Sequence, residues 1–379
     1  MSDGVRGQSG GIVRARIAGW LLAIALWGFS IGWFLMPPAG EFVDRFYSRG
    51  LYRWVTAIIV PITSRAPFSL ALALVLGGVS LFVALWIVNW AVRRGIWDMS
   101  HWRGFIWGPK WAFLITPFLL TWFIVFWGAG YQRLTPEQRL NLDTSAITPE
   151  ESEQLRGMLL EVMEHNLPAD ESARDTDRAI AAVAAAMRDI FREWDGKSPV
   201  IPPRIKATPK GMLLFNGTSG ICTPFTLEPH VDGALPDTWL VSTGAHELAH
   251  IAGMCREEEA EFIGYAAGLR ADDAFARYAA ALNLYLDLAR QLPGAQHREA
   301  IERLPEEARN DLKRLRDTVQ RYRVDWFSKM SWRVYDSYLK SQGIAEGVKN
   351  YQRGVALFVY AWRQGLVSVP APASVDAPL

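Results

Sequence analysis

Residues 243–253 read Thr243-Gly244-Ala245-His246-Glu247-Leu248-Ala249-His250-Ile251-Ala252-Gly253. On an α-helix, His246 and His250 are four residues apart and face the same way, so both imidazoles can bind one Zn²⁺ ion. Glu247 projects beside them, where it can accept a proton from a water molecule that the metal activates. The stretch therefore predicts a short helix, over about 242–252, that carries a zinc site with Glu247 as general base.

A catalytic zinc site uses three protein ligands and one open position, so a third ligand is sought downstream. A histidine at position 256 would indicate the metzincin pattern, but that residue is Arg256. The next predicted helix opens with acidic residues instead, and Glu257 is our predicted third ligand. Glu261 lies four residues on, on the same face, where it can hydrogen-bond a ligand histidine. Glu258 and Glu259 remain alternatives for the ligand.

Two other interpretations of the motif stay open. An acidic run at a helix start is commonly a solvated first turn that the helix dipole favours, and two histidines four apart can form a satisfied polar pair. That interpretation leaves Glu247 without a partner. An intramembrane protease can also carry this motif, but here the apolar run is interrupted by Asp237, Glu247 and Arg256 and is too short to span a bilayer.

Composition divides the 379-residue chain into two parts. Residues 1–132 hold 12 of the 17 Trp, 11 of the 40 Lys and Arg and 4 of the 39 Asp and Glu, a net charge of +7. The remainder holds 29 basic and 35 acidic residues, a net charge of −6. We therefore predict a membrane domain over 1–132, a soluble domain over 133–369 and a disordered Pro/Ala tail over 370–379.

Three apolar stretches in the first part are long enough to cross a bilayer, at about 17–36, 68–92 and 111–131. Seven basic residues lie in the N-terminal tail and the second loop, against four in the first loop. This bias favours an N-terminus on the inside, and with three spans the soluble part is then outside.

The soluble part is predicted to be mainly helical, with a small β element. Thr148, Pro149 and the acids after them are typical of a helix start. Gly, Pro and β-favouring residues over 211–241 indicate short strands. The predicted helices are 149–165, 172–194, 242–252, 256–291, 297–324, 326–341 and 344–365. The fold class is therefore a mostly helical α+β domain anchored by three transmembrane helices.

The two cysteines, Cys222 and Cys255, are too few for a disulfide framework. They are either two buried thiols or, if the domain lies outside the cytoplasm, a single disulfide. No basic cluster with interleaved aromatics appears after residue 132, so the sequence does not favour nucleic-acid binding.

A zinc hydrolase usually has a further donor that steadies the developing oxyanion. Tyr335 is our predicted catalytic donor, with Tyr338 and His230 as alternatives. The stretch Leu213–Glu228 offers an edge strand for an extended peptide, or else forms only a structural hairpin.

Three blocks carry a resemblance to a known family: Gly220-Ile221-Cys222-Thr223-Pro224-Phe225-Thr226-Leu227-Glu228, then His246 to Phe262, then Val334 to Lys340 followed by Gly347-Val348-Lys349-Asn350-Tyr351. In these blocks the chain resembles the bacterial membrane proteins catalogued as domain of unknown function 3810, over most of its length. Around the metal it resembles the gluzincin type of zinc metallopeptidase.

These features imply a membrane-anchored zinc metallopeptidase of the bacterial inner membrane, with its catalytic domain on the periplasmic side. Its partners are then a peptide or protein substrate and the lipid bilayer, and the oligomeric state stays open. Two other functions remain: a non-catalytic membrane sensor or assembly factor with a structural metal, and a zinc hydrolase of a non-peptide amide. A structural site has no need of Glu247, which argues against the first of these.

Overall fold

The computed structural model describes residues 3–94, 109–344 and 353–370, and it is mainly helical with one small sheet. The predicted fold class is confirmed at that level. The helices are α1 Asp3–Leu35, α2 Tyr52–Arg65, α3 Leu70–Arg93, α4 Pro109–Phe126, α5 Pro136–Leu140, α6 Pro149–His165, α7 Thr176–Asp195, α8 Asp237–Ile251, α9 Glu257–Arg270, α10 Ala274–Arg290, α11 Gly294–Glu302, α12 Glu306–Tyr322, α13 Asp325–Ser341 and α14 Arg353–Arg363. The strands are β1 Lys206–Thr208, β2 Gly220–Thr223 and β3 Glu228–Asp232.

Two helices, rather than the predicted three, are long and apolar enough to cross a membrane. They are Ile17–Leu35 within α1 and Leu70–Val88 within α3, each of 19 residues. The apolar part of α4, Ala112–Phe126, is shorter. It ends early because Trp127 leaves the helical conformation and the chain continues as a tight 3₁₀ turn over Gly128–Gln132, which is buried against the soluble part.

Helix α4 nevertheless packs along α1. The indole of Trp27 donates a hydrogen bond to the carbonyl of Phe113 (3.1 Å), and the hydroxyls of Ser30 and Thr121 are 3.2 Å apart. Residue numbers rise together along the two helices, so α1 and α4 run parallel. Between α1 and α3, a helical segment (Gly40–Phe42, then Val43–Leu51 with π-helical bonding) leads into α2.

The first helix predicted after residue 132 begins and ends where the sequence predicts, although a short unpredicted helix, α5, precedes it. The Thr148 hydroxyl accepts from the amide of Glu151 (3.1 Å), and the Glu151 carboxylate accepts from the amide of Thr148 (2.8 Å). This reciprocal capping box, with Pro149 in the first turn, starts α6, which ends at His165 as predicted.

Three predicted helix boundaries were wrong. The motif helix α8 begins at Asp237, earlier than predicted, because Pro236 leads directly into a first turn with an early acid. The stretch 256–291 is divided into α9 and α10, since Asp273 caps a new helix by accepting from the amide of Ala276 (2.9 Å). The stretch 297–324 is divided at Pro305, which cannot continue a helix.

The sheet is small and has the strand order β1-β3-β2. Strand β1 pairs in parallel with β3, and β2 pairs with β3 in antiparallel register. Strand β1 lies before the region 211–241 in which strands were predicted, within a Pro-rich stretch. The motif helix α8 packs against the sheet and against α7, α9 and α10, so the metal-binding motif lies inside the main hydrophobic core.

Part of the predicted C-terminal region is outside the described residues. Helix α14 covers Arg353–Arg363 of the predicted helix 344–365, and residues 345–352, which include the Gly347–Tyr351 block, are not described. The predicted tail lies outside the described residues from position 371 onward.

Candidate metal centre

The structure brings His246, His250 and Glu257 together at one point between α8 and α9. One ligand atom from each residue can be chosen so that all three lie within 4.8 Å of one another. The carboxylate Oε2 of Glu257 is 3.1 Å from His246 Nε2 and 3.6 Å from His250 Nε2. Two imidazoles and one carboxylate are a donor set that zinc uses in catalytic sites.

A tight reversal of the chain places Glu257 opposite the histidines. The amide of Gly253 bonds to the carbonyl of His250 (2.9 Å) and that of Met254 to the carbonyl of Ala249 (3.1 Å), which closes α8. Gly253 has φ +96°, a backbone conformation that glycine adopts without strain. The next helix begins at Glu257, so its first side chain points back over the last turn of α8.

Hydrogen bonds on the far side of each ring orient both histidines. His250 Nδ1 is 2.6 Å from the carbonyl of Met254, and His246 Nδ1 is 2.7 Å from Glu261 Oε2. With Nδ1 of each ring engaged, both Nε2 atoms are directed at Glu257. The predicted contact between Glu261 and a ligand histidine is therefore present.

The alternative ligands do not join this group. Glu258 and Glu259 are both buried, and neither belongs to the metal-binding cluster found among the described residues. Both carboxylate oxygens of Glu259 lack a hydrogen-bond partner within the described parts of the chain. Adjacent positions on a helix face different directions, which explains why only the first acid of the run reaches the histidines.

The charges and hydrogen bonds around Glu257 and His246 oppose the effect of burial on the pKa of each residue. Burial alone would raise the pKa of Glu257, but the positive charge of His250 and the hydrogen bonds from both histidines hold that pKa well below its usual range. For His246, burial lowers the pKa, but the hydrogen bonds and charges of Glu257 and Glu261 raise it well above the ordinary value. Without a metal, His246 thus holds a proton between two carboxylates.

Glu247 is buried beside this cluster, and the cost of burying its carboxylate is not fully offset by hydrogen bonds. Its side chain is only 4% exposed, and Oε2 has no hydrogen-bond partner among the residues that the structure describes. Burial raises its pKa to about 7, against the lowering effect of the two histidines. A buried polar atom without a partner is costly, so this oxygen fits a site that receives a further group.

Strand β2 lies directly on Glu247. A Cβ atom at Gly220 would be 2.5 Å from Glu247 Oε1 and 2.6 Å from Thr243 Cγ2, so only glycine permits this approach. The antiparallel strand therefore passes over Glu247 at its first residue.

The three predicted oxyanion donors have different locations. The Tyr335 hydroxyl donates a short hydrogen bond to Glu257 Oε1, which places it at the metal cluster. Tyr338 stacks on Tyr335 and its hydroxyl is 3.3 Å from that of Tyr131. His230 is elsewhere: its Nε2 is 2.8 Å from the Ser69 hydroxyl, on the side of the sheet away from Gly220.

A chain of hydrogen bonds extends from His246 into the core. Glu261 accepts from the Tyr265 hydroxyl (2.9 Å), and this hydroxyl also makes a short contact with Asp287. Burial raises the pKa of Asp287 to about 6. Tyr265 thus fixes the carboxylate that fixes the His246 ring.

The end of α4 also contributes to the centre. The Trp127 ring lies 5.5 Å from the His250 ring, centroid to centroid. The carbonyl of Tyr131 accepts from Arg256 (2.8 Å), and the Arg133 guanidinium donates to the carbonyl of Gly253 (3.1 Å). The membrane-proximal chain therefore supports the turn that joins the metal-binding helices.

Cys222 and Cys255 are two free, buried thiols and form no disulfide. Burial raises the pKa of both well above the ordinary thiol value, so both remain protonated at neutral pH.

A family model matches residues 47–359, and its description is protein of unknown function (DUF3810). The chain belongs to this family. The family prediction made from the sequence blocks is confirmed. The matched region begins before α2 and includes His246, His250 and Glu257. Comparisons with curated proteins and with solved structures found no match.

Several residues at this site were not predicted from the sequence. Tyr265 lies four positions after Glu261 on the same helix face, and that spacing could have indicated it. Gly220 is within a block that carried the family resemblance, but nothing local shows that it touches Glu247. Trp127 and Arg133 reach the site only through tertiary packing.

Proposed function

We propose that this chain is a membrane-anchored, gluzincin-like zinc metallopeptidase. The observation that carries the proposal is the convergence of His246, His250 and Glu257 on one point, next to the buried carboxylate of Glu247, whose Oε2 has no partner among the described residues. The two imidazoles and the Glu257 carboxylate would hold zinc. A bound zinc ion supplies a Lewis acid that polarises a carbonyl group and lowers the pKa of water.

The protein's own groups then handle the proton and the substrate. Glu247, whose pKa of about 7 is near the operating pH, accepts a proton from the attacking water and returns it to the leaving amine. The Tyr335 hydroxyl, held at the cluster by Glu257, is the donor for the developing oxyanion.

Strand β2 supplies a backbone edge for an extended peptide. The amide of Asp232 bonds to the carbonyl of Ser219 (2.8 Å), which sets the alternation of the antiparallel pair. By this alternation the backbone groups of Gly220 and Cys222 point away from β3. Pro229, opposite Cys222, has no amide to offer and agrees with that register. No described residue outside the sheet bonds to these outward groups, so a substrate strand can pair there.

We propose that the apolar helices anchor the enzyme in the bacterial inner membrane with the soluble part on the periplasmic side. The parallel packing of α1 and α4 supports an arrangement in which α3 crosses in the opposite direction between them. The excess of basic residues on the N-terminal side favours that side as the inside.

Peptide-library cleavage and metal analysis of one set of variants test the proposal. Glu247→Gln keeps all three ligands, so zinc should stay at one ion per chain while hydrolysis falls by on the order of 100-fold or more. His246→Ala should lose both zinc and hydrolysis. Glu161→Gln, a substitution on the exposed face of α6, serves as the matched control and should resemble the wild type.

A wild-type protein that holds zinc but cleaves no peptide would contradict the peptidase proposal and leave the structural-metal or non-peptide alternatives. Full activity in Glu247→Gln would remove the assigned base.

A further inference from the structure

The metal centre lies where the apolar helices meet the soluble part. The amides of Leu70 and Ala71, the first residues of α3, donate to the two carboxylate oxygens of Glu228 at 3.0 and 2.7 Å. Glu228 is the first residue of β3. A carboxylate on the free amides of a helix N-terminus is a stabilising arrangement, so the sheet is fixed to the start of this helix.

Two further contacts hold the same junction. Lys206 on β1 forms an ion pair with Glu228 and also donates to the carbonyls of Thr63 (2.9 Å) and Phe68 (2.7 Å). His230 is 2.8 Å from the Ser69 hydroxyl. Both groups are on β strands; Phe68 and Ser69 immediately precede α3, and Thr63 lies near the end of α2.

The register shows how the site is placed relative to this junction. Thr223 pairs with Glu228 and Ile221 with His230, so these side chains share the face that meets the start of α3. Gly220 pairs with Val231 on the opposite face, against Glu247. A single layer of strands thus lies between the general base, Glu247, and the start of α3, which is able to cross the membrane.

The surface next to this junction is apolar. Ile221 on β2 is 44% exposed, and Phe225 in the turn between β2 and β3 is 46% exposed. Ile221 lies on β2 itself, whereas Phe225 lies in the turn beyond the end of the strand and outside its free edge. Exposed apolar side chains at the level of a membrane helix end are suited to the headgroup region of a bilayer.

We propose that the substrate is a polypeptide anchored in the same membrane, cut in the extended segment that immediately follows its membrane-embedded part. This inference rests on the proposed function. Gly220 and Thr223 are three positions apart on β2, about 10 Å of extended chain. A substrate strand beside β2 would therefore present a peptide bond to Glu247 within about three to six residues of the bilayer.

A cleavage-mapping experiment with the full-length protein in zinc-loaded phospholipid vesicles tests this proposal. The probe is a 30-residue segment of randomised sequence fused to a synthetic transmembrane helix, and the same segment without the helix is the comparison. We expect cuts to concentrate in the first residues outside the bilayer. When a Gly/Ser spacer is inserted, the cuts should stay at the same distance from the bilayer. Tethering raises the local substrate concentration, so the anchored library should be cut at least about tenfold faster.

A surface variant connects the result to the proposed geometry. Phe225→Ser should slow cutting of the anchored library severalfold and leave cutting of the free library unchanged. Leu167→Ser, which replaces an equally apolar exposed residue after α6, is the control and should affect neither.

The outcomes separate the two proposals. In one outcome, both libraries are cut at equal rates and at positions unrelated to the bilayer, and Glu247→Gln abolishes this cutting. The peptidase proposal then stands, and the anchored-substrate inference is wrong. If neither library is cut, or if Glu247→Gln cuts as the wild type does, the proposed function fails and the inference fails with it.

Discussion

The replacement Gly220→Ala tests whether β2 lies on the general base. The added Cβ would be 2.5 Å from Glu247 Oε1, 2.6 Å from Thr243 Cγ2 and 2.9 Å from Glu247 Cγ. Both neighbours lie on α8, which the core holds on its other faces. The strand and the Glu247 carboxylate therefore have to move apart.

The size of that movement gives the expected effect. Ordinary contact begins at 3.4 Å, so the separation has to grow from 2.5 to 3.4 Å, a displacement of 0.9 Å. Misplacement of a reacting group by 1 Å costs about 100-fold in rate. An extra methyl group in a packed region costs about 1–3 kcal/mol of folding free energy. We therefore expect about a 100-fold loss of hydrolysis with a moderate loss of stability.

Zinc content distinguishes this local effect from unfolding. Gly220 has no close contact with a metal-binding atom, so Gly220→Ala should keep wild-type zinc content below its melting temperature. Gly157→Ala is the matched control, because no atom lies within 4 Å of its added Cβ and alanine is a better helix former than glycine. It should keep full activity and gain slightly in stability. Wild-type hydrolysis by Gly220→Ala would show that the strand does not press on Glu247.

Three further predictions follow from the same geometry. Cys222→Pro removes the amide that points to the free edge of β2, so kcat/KM on peptides should fall about fivefold, which corresponds to the loss of one hydrogen bond. The control Cys222→Ala keeps the amide and should keep wild-type activity. Tyr265→Phe releases Glu261 and should weaken zinc binding about tenfold in a competition titration, whereas Tyr285→Phe, a buried tyrosine bonded to a backbone carbonyl, should not. Zinc affinity should rise with pH around neutrality, because His246 has a raised pKa without metal and must lose its proton to bind zinc. Calorimetry in two buffers should therefore show proton release on zinc binding. Binding without proton release would contradict this protonation state.

The metal cluster could be predicted from the sequence because its geometry is local. The spacing of four positions from His246 to His250 defines one helix face, and Gly253 allows the turn that brings the next helix back. The choice of Glu257 over its neighbours depends on where α9 begins, and a one-residue shift would have selected another acid. The contact between Tyr335 and Glu257 joins positions 78 residues apart. No local pattern fixes such a pair.

The errors in the predicted helices have local causes that the hydrophobic pattern conceals. The run 256–291 contains helix-favouring residues and no Pro, so the pattern alone predicts one helix. Asp273 divides it because its carboxylate offers the backbone a helix start. The third predicted span failed for a different reason: residues 127–131 are uncharged and continue from an apolar helix, but they are buried against the rest of the chain. The absence of charge does not distinguish a protein interior from a membrane.

The turn between the metal-binding helices shows why the site and the membrane-proximal chain act as a unit. The Tyr52 hydroxyl donates to the carbonyl of Ile251 (3.0 Å), and the Tyr52 ring lies 3.0 Å from where a Cβ of Gly253 would be. Arg256, at the other end of the turn, bonds to the carbonyl of Tyr131. Tyr52, which precedes α3, and Tyr131, which follows α4, thus hold the two ends of the turn that sets the distance from Glu257 to the histidines. A chain that lacked residues 47–132 would therefore lose two of the supports of the turn that places Glu257 opposite the histidines, and the family match over residues 47–359 includes both supports and the turn.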